Sequence, residues 1–254
     1  MPELTIWPLL SARISGGEKS HFTHGMNQGV KIEAAVIMYL IKGAKENILV
    51  DSGAGDAEWA IKYHNHRFSE FQDPADALKK VGLRPDDIGM VICTHLHWDH
   101  CFNNDRFRNA RIIVQKDEMR YAIAPLAMHA HYYESQLIKM RPPWLKAIER
   151  TEFIEGDMEI FPGINIVKIP GHTPGFHGVN VKTAKGNYFI ASDFCPLFEN
   201  WQGAPEGLPP LKHIVSPIHV DLEVYYASFA KVEKIADFVL PGHDPKVLEK
   251  EVYP

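Results

Sequence analysis

The chain has 254 residues, of which 45% are hydrophobic, 23% charged and 11% aromatic, the make-up of a water-soluble globular protein with a sizeable core. A net charge of −5 leaves no excess of Lys and Arg to neutralise phosphates, which excludes nucleic acid as the main partner. No apolar run approaches the roughly 18 residues that cross a membrane.

The opening residues lack a basic start followed by an apolar core, so no signal peptide is predicted and a cytoplasmic location is expected. The three cysteines, Cys93, Cys101 and Cys195, have no paired spacing, which fits a reducing compartment better than a disulfide scaffold.

In chain order, residues 4–9 form a short apolar segment broken by Pro8, which predicts an edge strand. Residues 15–29 contain glycine and histidine without periodicity and predict a loop, either a surface connection or one wall of a substrate site. The apolar runs at 34–41 and 47–50 predict consecutive strands joined by a turn. Residues 55–66 predict a helix. A second helix is predicted over 73–82, with Asp73 as N-cap, Pro74 in the first turn and Gly82 ending it.

The apolar run Met90-Val91-Ile92-Cys93 then leads into Thr94-His95-Leu96-His97-Trp98-Asp99-His100, which holds four potential metal ligands within six residues. If the extended geometry continues, His95, His97 and Asp99 face one side and His100 points elsewhere, because strand side chains alternate. Ligands facing two ways suit two ions a few ångströms apart better than one. Without metal, these polar groups would crowd the edge of a core and lack partners, which is costly. Cys93 and Cys101 flank the motif and read as small buried side chains.

Beyond the motif, residues 111–115 predict a strand and 116–124 a helix, and strands alternating with helices predict an α/β chain. Residues 125–145 carry His129, His131, Tyr132, Tyr133, Met140, Pro142, Pro143 and Trp144 with little periodicity, and read as an insertion capping an active site. Strands are predicted at 164–169, 179–182, 188–191 and 238–240. A helix at 222–236 would place Leu222, Tyr225, Phe229 and Val232 on one apolar face. No linker or compositional break divides the chain, so residues 1–254 are expected to form one domain.

Three later apolar runs end as the first does, on a ligand-type residue: His172 in Pro170-Gly171-His172-Thr173-Pro174-Gly175, Asp193 after Ser192, and His243 after Pro241-Gly242. Ligands just past four strands define a site at one end of a sheet, where loops can present side chains. Counting assigns His95, His97 and His172 to one ion and Asp99, His100 and His243 to the other, with Asp193 bridging. Imidazoles and carboxylates without thiolate suit zinc, with cobalt, manganese or iron able to substitute. His64 and His66 repeat the spacing without a following aspartate and predict a solvated helix end. His129, His131, His177, His213 and His219 are candidates only for supporting ligands or contacting substrate.

Together, the Thr-His-X-His-X-Asp-His signature, the Pro-Gly-His-Thr-Pro-Gly turn, the lone Asp193 and the terminal Gly-His resemble the metallo-β-lactamase-fold hydrolases. The length, Trp98 and Cys101-Phe102-Asn103-Asn104 look most like the quorum-quenching N-acyl-homoserine lactonases. The resemblance implies a four-layer αβ/βα sandwich with two metals at one edge, and hydrolytic opening of a lactone ring. It also implies a tyrosine three residues after the bridging aspartate, where this chain has Pro196. Phe194, Tyr132 and His219 are the expected substrate contacts.

A water shared by two cations is acidified from about 15.7 towards 7, which makes hydroxide available to attack the ester carbonyl. Asp99, a carboxylate beside the second ion, is the expected proton shuttle. Within the resemblance, glyoxalase II-like thioesterases are disfavoured because only 254 − 243 = 11 residues follow the last histidine. Other small esters, thioesters and phosphoesters remain alternative substrates, and a non-catalytic metal-binding member of the fold remains an alternative of another kind. A homodimer is the expected assembly.

Overall fold

The computed structural model describes residues 3–207 and 209–254. Its first sheet has seven strands in the order β4-β1-β2-β3-β5-β6-β7: β1 (Thr5–Glu18), β2 (Lys31–Lys42), β3 (Asn47–Val50), β4 (Arg67–Phe71), β5 (Ile88–Ile92), β6 (Arg111–Gln115) and β7 (Thr151–Ile154). The second has five in the order β12-β11-β10-β9-β8: β8 (Met158–Phe161), β9 (Ile164–Lys168), β10 (His177–Thr183), β11 (Gly186–Ser192) and β12 (Phe238–Pro241). The α-helices are α1 (Ala57–His64), α2 (Pro74–Lys79), α3 (Trp98–Cys101), α4 (Lys116–Ile123), α5 (Phe198–Gln202) and α6 (Leu222–Val232), with short 3-10 turns between elements.

The central strands are apolar at nearly every position because both faces of each sheet are covered. In β2, Ala35, Ile37, Tyr39 and Ile41 point inward, while Met38 and Leu40 pack outward beside Ala77 and Leu78 of α2. The second sheet mirrors this. Ile164, Ile166, Val179, Val181 and Ile190 meet the first sheet, and Phe189, Ala191 and Val239 pack outward against Tyr225 and Phe229 of α6. The layers therefore run helix, sheet, sheet, helix, the αβ/βα sandwich.

Several sequence expectations change. The segment at 4–9 belongs to a 14-residue strand, which β4 displaces from the sheet edge. Pro8 is tolerated because β4 pairs only with Ala12–Ser15. Ile6 exchanges hydrogen bonds of 2.8 Å with Tyr253 on the side away from β2, and Pro8, two residues on, turns its missing N–H to that same open side. Residues 15–18 are strand rather than loop. Leu222 is 42% exposed, so the buried face of α6 begins at Tyr225. Asp73 does cap α2, accepting from the Ala75 N–H at 2.9 Å, and Gly82 adopts φ +76° just beyond it.

Strands β3 and β5 are parallel, as are β11 and β12, while β9 and β11 both run antiparallel to β10. The C-terminal ends of β3, β5, β9, β11 and β12 feed the same sandwich edge, as open α/β sheets present ligands. Replacing Ile166 by Ala empties a fully buried position between the sheets and should cost about 3 kcal/mol, read as a lower urea midpoint. A loss below 1 kcal/mol would contradict this account of the core.

Candidate metal centre

The motif does not continue as a strand. β5 stops at Ile92, residues 93–97 form a loop, and Asp99 and His100 occupy the short helix α3. The turn, rather than strand alternation, separates the two ligand sets. His95, His97, His172 and Asp193 offer ligand atoms within 4.8 Å of one another, and so do Asp99, His100 and His243. Asp193 joins the sets: its Oδ2 lies 3.7 Å from His95 Nε2 and 3.6 Å from His172 Nε2. Its Oδ1 lies 3.2 Å from His100 Nε2 and 2.8 Å from His243 Nε2.

The donor chemistry fits two cations. Nε2 of His95 and His97 are buried without a hydrogen-bond partner, a state that costs about 1–3 kcal/mol per group unless something else satisfies it, while Nε2 of His100 and His243 crowd a single oxygen of Asp193. The other ring nitrogens are committed. His100 Nδ1 lies 2.8 Å from Asp51 Oδ2, His172 Nδ1 2.8 Å from the Ile218 carbonyl, and His243 Nδ1 2.8 Å from the Ala35 carbonyl. Such partners fix the ring orientation and leave the opposite nitrogen as a ligand.

Charge distribution follows burial and neighbours. Burial holds the His95 and His97 imidazoles well below their ordinary values and brings His172 down to about 4, so all three are neutral near pH 7, the form able to ligate a cation. Burial also opposes charge on His100, but Asp193, Asp99 and Asp51 outweigh it and raise that group. Burial would raise Asp193, yet His100 and His243 keep its carboxyl well below the usual range.

Two acids that the sequence reading missed organise the loops. Asp51, at the end of β3, accepts from the Thr94 N–H at 2.8 Å, Thr94 Oγ1 at 3.0 Å and Ser192 Oγ at 2.9 Å besides facing His100. Asp51 and Ser192 adopt φ +61° and +46°, uncommon for residues with side chains, where each strand hands over to the site. Glu118 of α4 accepts from the Leu96 N–H at 3.0 Å and the Tyr133 hydroxyl at 2.7 Å, and Thr173 donates to its other oxygen. The signals were faint: an aspartate directly after an apolar strand, and an acid on the buried side of an amphipathic helix.

The other expected contacts divide. Tyr132 packs its half-buried ring 5.3 Å from His97, and its carbonyl accepts from the Trp98 N–H at 2.8 Å. Burial, then the Asp99 carboxylate, raises its phenol. His219 stacks edge-on to His24 at 5.0 Å, one residue past the Ile218 carbonyl that holds His172. Phe194 is fully buried between Tyr225 and Phe229 and offers no surface to a substrate. His64 is no solvated helix end. It is buried, lies 2.8 Å from Glu134 Oε1 and stacks on Trp98 at 4.0 Å. His213 stacks on Phe229 and meets Glu233 at 2.6 Å, a structural role. The cysteines are all buried and belong to neither ligand set.

This fold and this pair of ligand sets define a class. The chain belongs to the metallo-beta-lactamase superfamily, whose sequence profile matches residues 35–243. Within it, the chain is similar to an N-acyl homoserine lactonase from Bacillus thuringiensis, 30% identical over 198 residues that cover 73% of this chain and 74% of the relative. In structure it resembles an N-acyl homoserine lactone hydrolase solved with the product N-hexanoyl-L-homoserine at its catalytic metal center, with a TM-score of 0.74, 23% identity and 98% and 96% of the two chains covered. It also resembles AidC, described as a dizinc quorum-quenching lactonase, with a TM-score of 0.70, 20% identity and 96% and 89% covered.

Replacing Asp51 by Asn should weaken retention of one metal about 10- to 100-fold, because the charged acceptor that orients His100 becomes a neutral amide. Metal analysis after dialysis against a graded chelator reads this directly, and unchanged retention would contradict the role given to Asp51. A Cβ at Gly175 would meet the Glu118 backbone nitrogen at 2.0 Å, so Gly175→Ala should displace the His172 turn and lower both Tm and metal content.

Proposed function

We propose that this protein is a dinuclear metal hydrolase that opens lactone rings, with N-acyl homoserine lactones or related lactones as substrates. The observation that carries the reading is the pair of buried ligand sets joined by Asp193, in a chain 30% identical to a named N-acyl homoserine lactonase. Two divalent cations, when bound, supply an acidified water and an electrophile for the carbonyl oxygen. Zinc is the favoured metal, supported by the imidazole-rich donor sets and by the dizinc structural relative.

His95, His97 and His172 would hold one cation, Asp99, His100 and His243 the other, and Asp193 both. Asp99 is the residue we assign to proton delivery. Its side chain retains some exposure, with Oδ2 3.6 Å from His100 Nε2 and 3.8 Å from His243 Nε2. There it can take up the proton given up by the attacking water and pass it to the alkoxide that leaves when the ring opens, and a poor leaving group of this kind depends on that proton. Residues 125–145 act as a cap in this reading. They bring Tyr132 onto His97, while Glu134 ties the segment to α1 through His64 and the Trp59 indole at 2.6 Å.

A lactone panel followed by pH-stat tests the proposal, with short- and long-chain acyl-homoserine lactones beside plain γ- and δ-lactones. Ring opening should stop after exhaustive chelation and return with two equivalents of zinc. Turnover of a nitrophenyl phosphodiester with no lactone opened would reassign the substrate. Asp99→Asn should lower kcat about 100-fold, with a smaller change in KM.

A further inference from the structure

The ligand sets contain acceptors and lone pairs but no free hydrogen-bond donor, whereas hydrolysis builds negative charge on the substrate's carbonyl oxygen. A preorganised donor aimed at that oxygen is among the largest single contributions an active site can make. Several phenols lie on or beside the loops that carry the ligands, and nearly all are committed elsewhere. Tyr133 packs 4.7 Å from His97 but donates to Glu118 at 2.7 Å. The Tyr121 hydroxyl lies 2.7 Å from His129 Nδ1, Tyr225 donates to the Phe194 carbonyl at 2.7 Å, and Tyr39 donates to the Pro241 carbonyl.

Tyr132 is different. Its ring rests on His97, it is partly open to solvent, and its hydroxyl makes no hydrogen bond among the described residues. Its position is also fixed, because its carbonyl accepts from the Trp98 N–H at 2.8 Å, between two ligands of the motif. We propose that Tyr132 is a catalytic residue whose hydroxyl donates a hydrogen bond to the substrate's carbonyl oxygen as that oxygen becomes charged. The placement on His97 assigns it to the carbonyl rather than to the leaving oxygen, since Asp99 serves the other ligand set. No proton is transferred: the phenol remains protonated, and the charge returns to the carbonyl bond when the leaving group departs.

This inference rests on the hydrolase reading above. Tyr132→Phe keeps the ring and removes only the donor. The expected result is a loss of about 100-fold in kcat, by the same factor for a γ-lactone and its thiolactone, with metal content and Tm unchanged. Binding of the ring-opened product N-hexanoyl-homoserine should perturb the near-ultraviolet tyrosine spectrum of the wild type, and that signal should vanish in the variant. A loss below fivefold, a loss confined to the poorer leaving group, or a product signal that persists in the variant would overturn the assignment. If the wild type opens no lactone, the substrate reading fails on its own. The same comparison then runs on phenyl and nitrophenyl esters, and Tyr132 is still judged.

Discussion

Buried imidazole nitrogens converge on one carboxylate at one edge of the sandwich, and Nε2 of His95 and His97 find nothing in the protein to satisfy them. A folded chain tolerates such a cluster only if an external charge completes it, because unpaired polar groups in a low-dielectric interior are expensive. The surrounding loops make sense from that requirement. Asp51 holds His100, the Ile218 carbonyl holds His172 and the Ala35 carbonyl holds His243, so each ring is oriented before any cation arrives.

The strands set where this can happen. Short parallel pairs in both sheets end at the same edge, where β5, β11 and β12 pass into ligand-bearing loops and β3 passes into Asp51, which holds His100. Two of these transitions use left-handed backbone at residues with side chains, Asp51 and Ser192, whose side chains hydrogen-bond each other at 2.9 Å. Local conformational cost is thus concentrated where it sets the relative position of His100 and Asp193. Glu118 does comparable work between the His95–His97 loop and the His172 turn, through Leu96 and Thr173.

Much of this was legible in the chain. The seven candidate ligand residues could be read because each follows an apolar run, and the structure brings them into two groups that could each hold an ion. Strand alternation does not produce the division, because β5 ends at Ile92, the chain bends at Thr94 and His95, and a helix begins at Trp98. Short strands such as β4, β7 and β8 escaped notice because they are half exposed and weakly apolar, so periodicity carried little information. Asp51 and Glu118 were invisible for another reason. A buried acid is recognised by what approaches it in space, and Thr94, Ser192, Thr173 and Tyr133 are distant from them in sequence. Phe194 was misjudged through proximity, since the residue beside a ligand can point into the core.

The ligands are also divided along the chain. His95, His97, Asp99 and His100 come from the loop after β5, whereas His172, Asp193 and His243 come from the second sheet, and each ion set draws on both. During synthesis, therefore, neither set is complete when the first sheet emerges, and one stays open until residue 243 has been added. On the proposed assignment the cations would act as late rivets between two halves of a polypeptide, and a nascent chain would carry its unfinished imidazole cluster through most of translation before it could be filled.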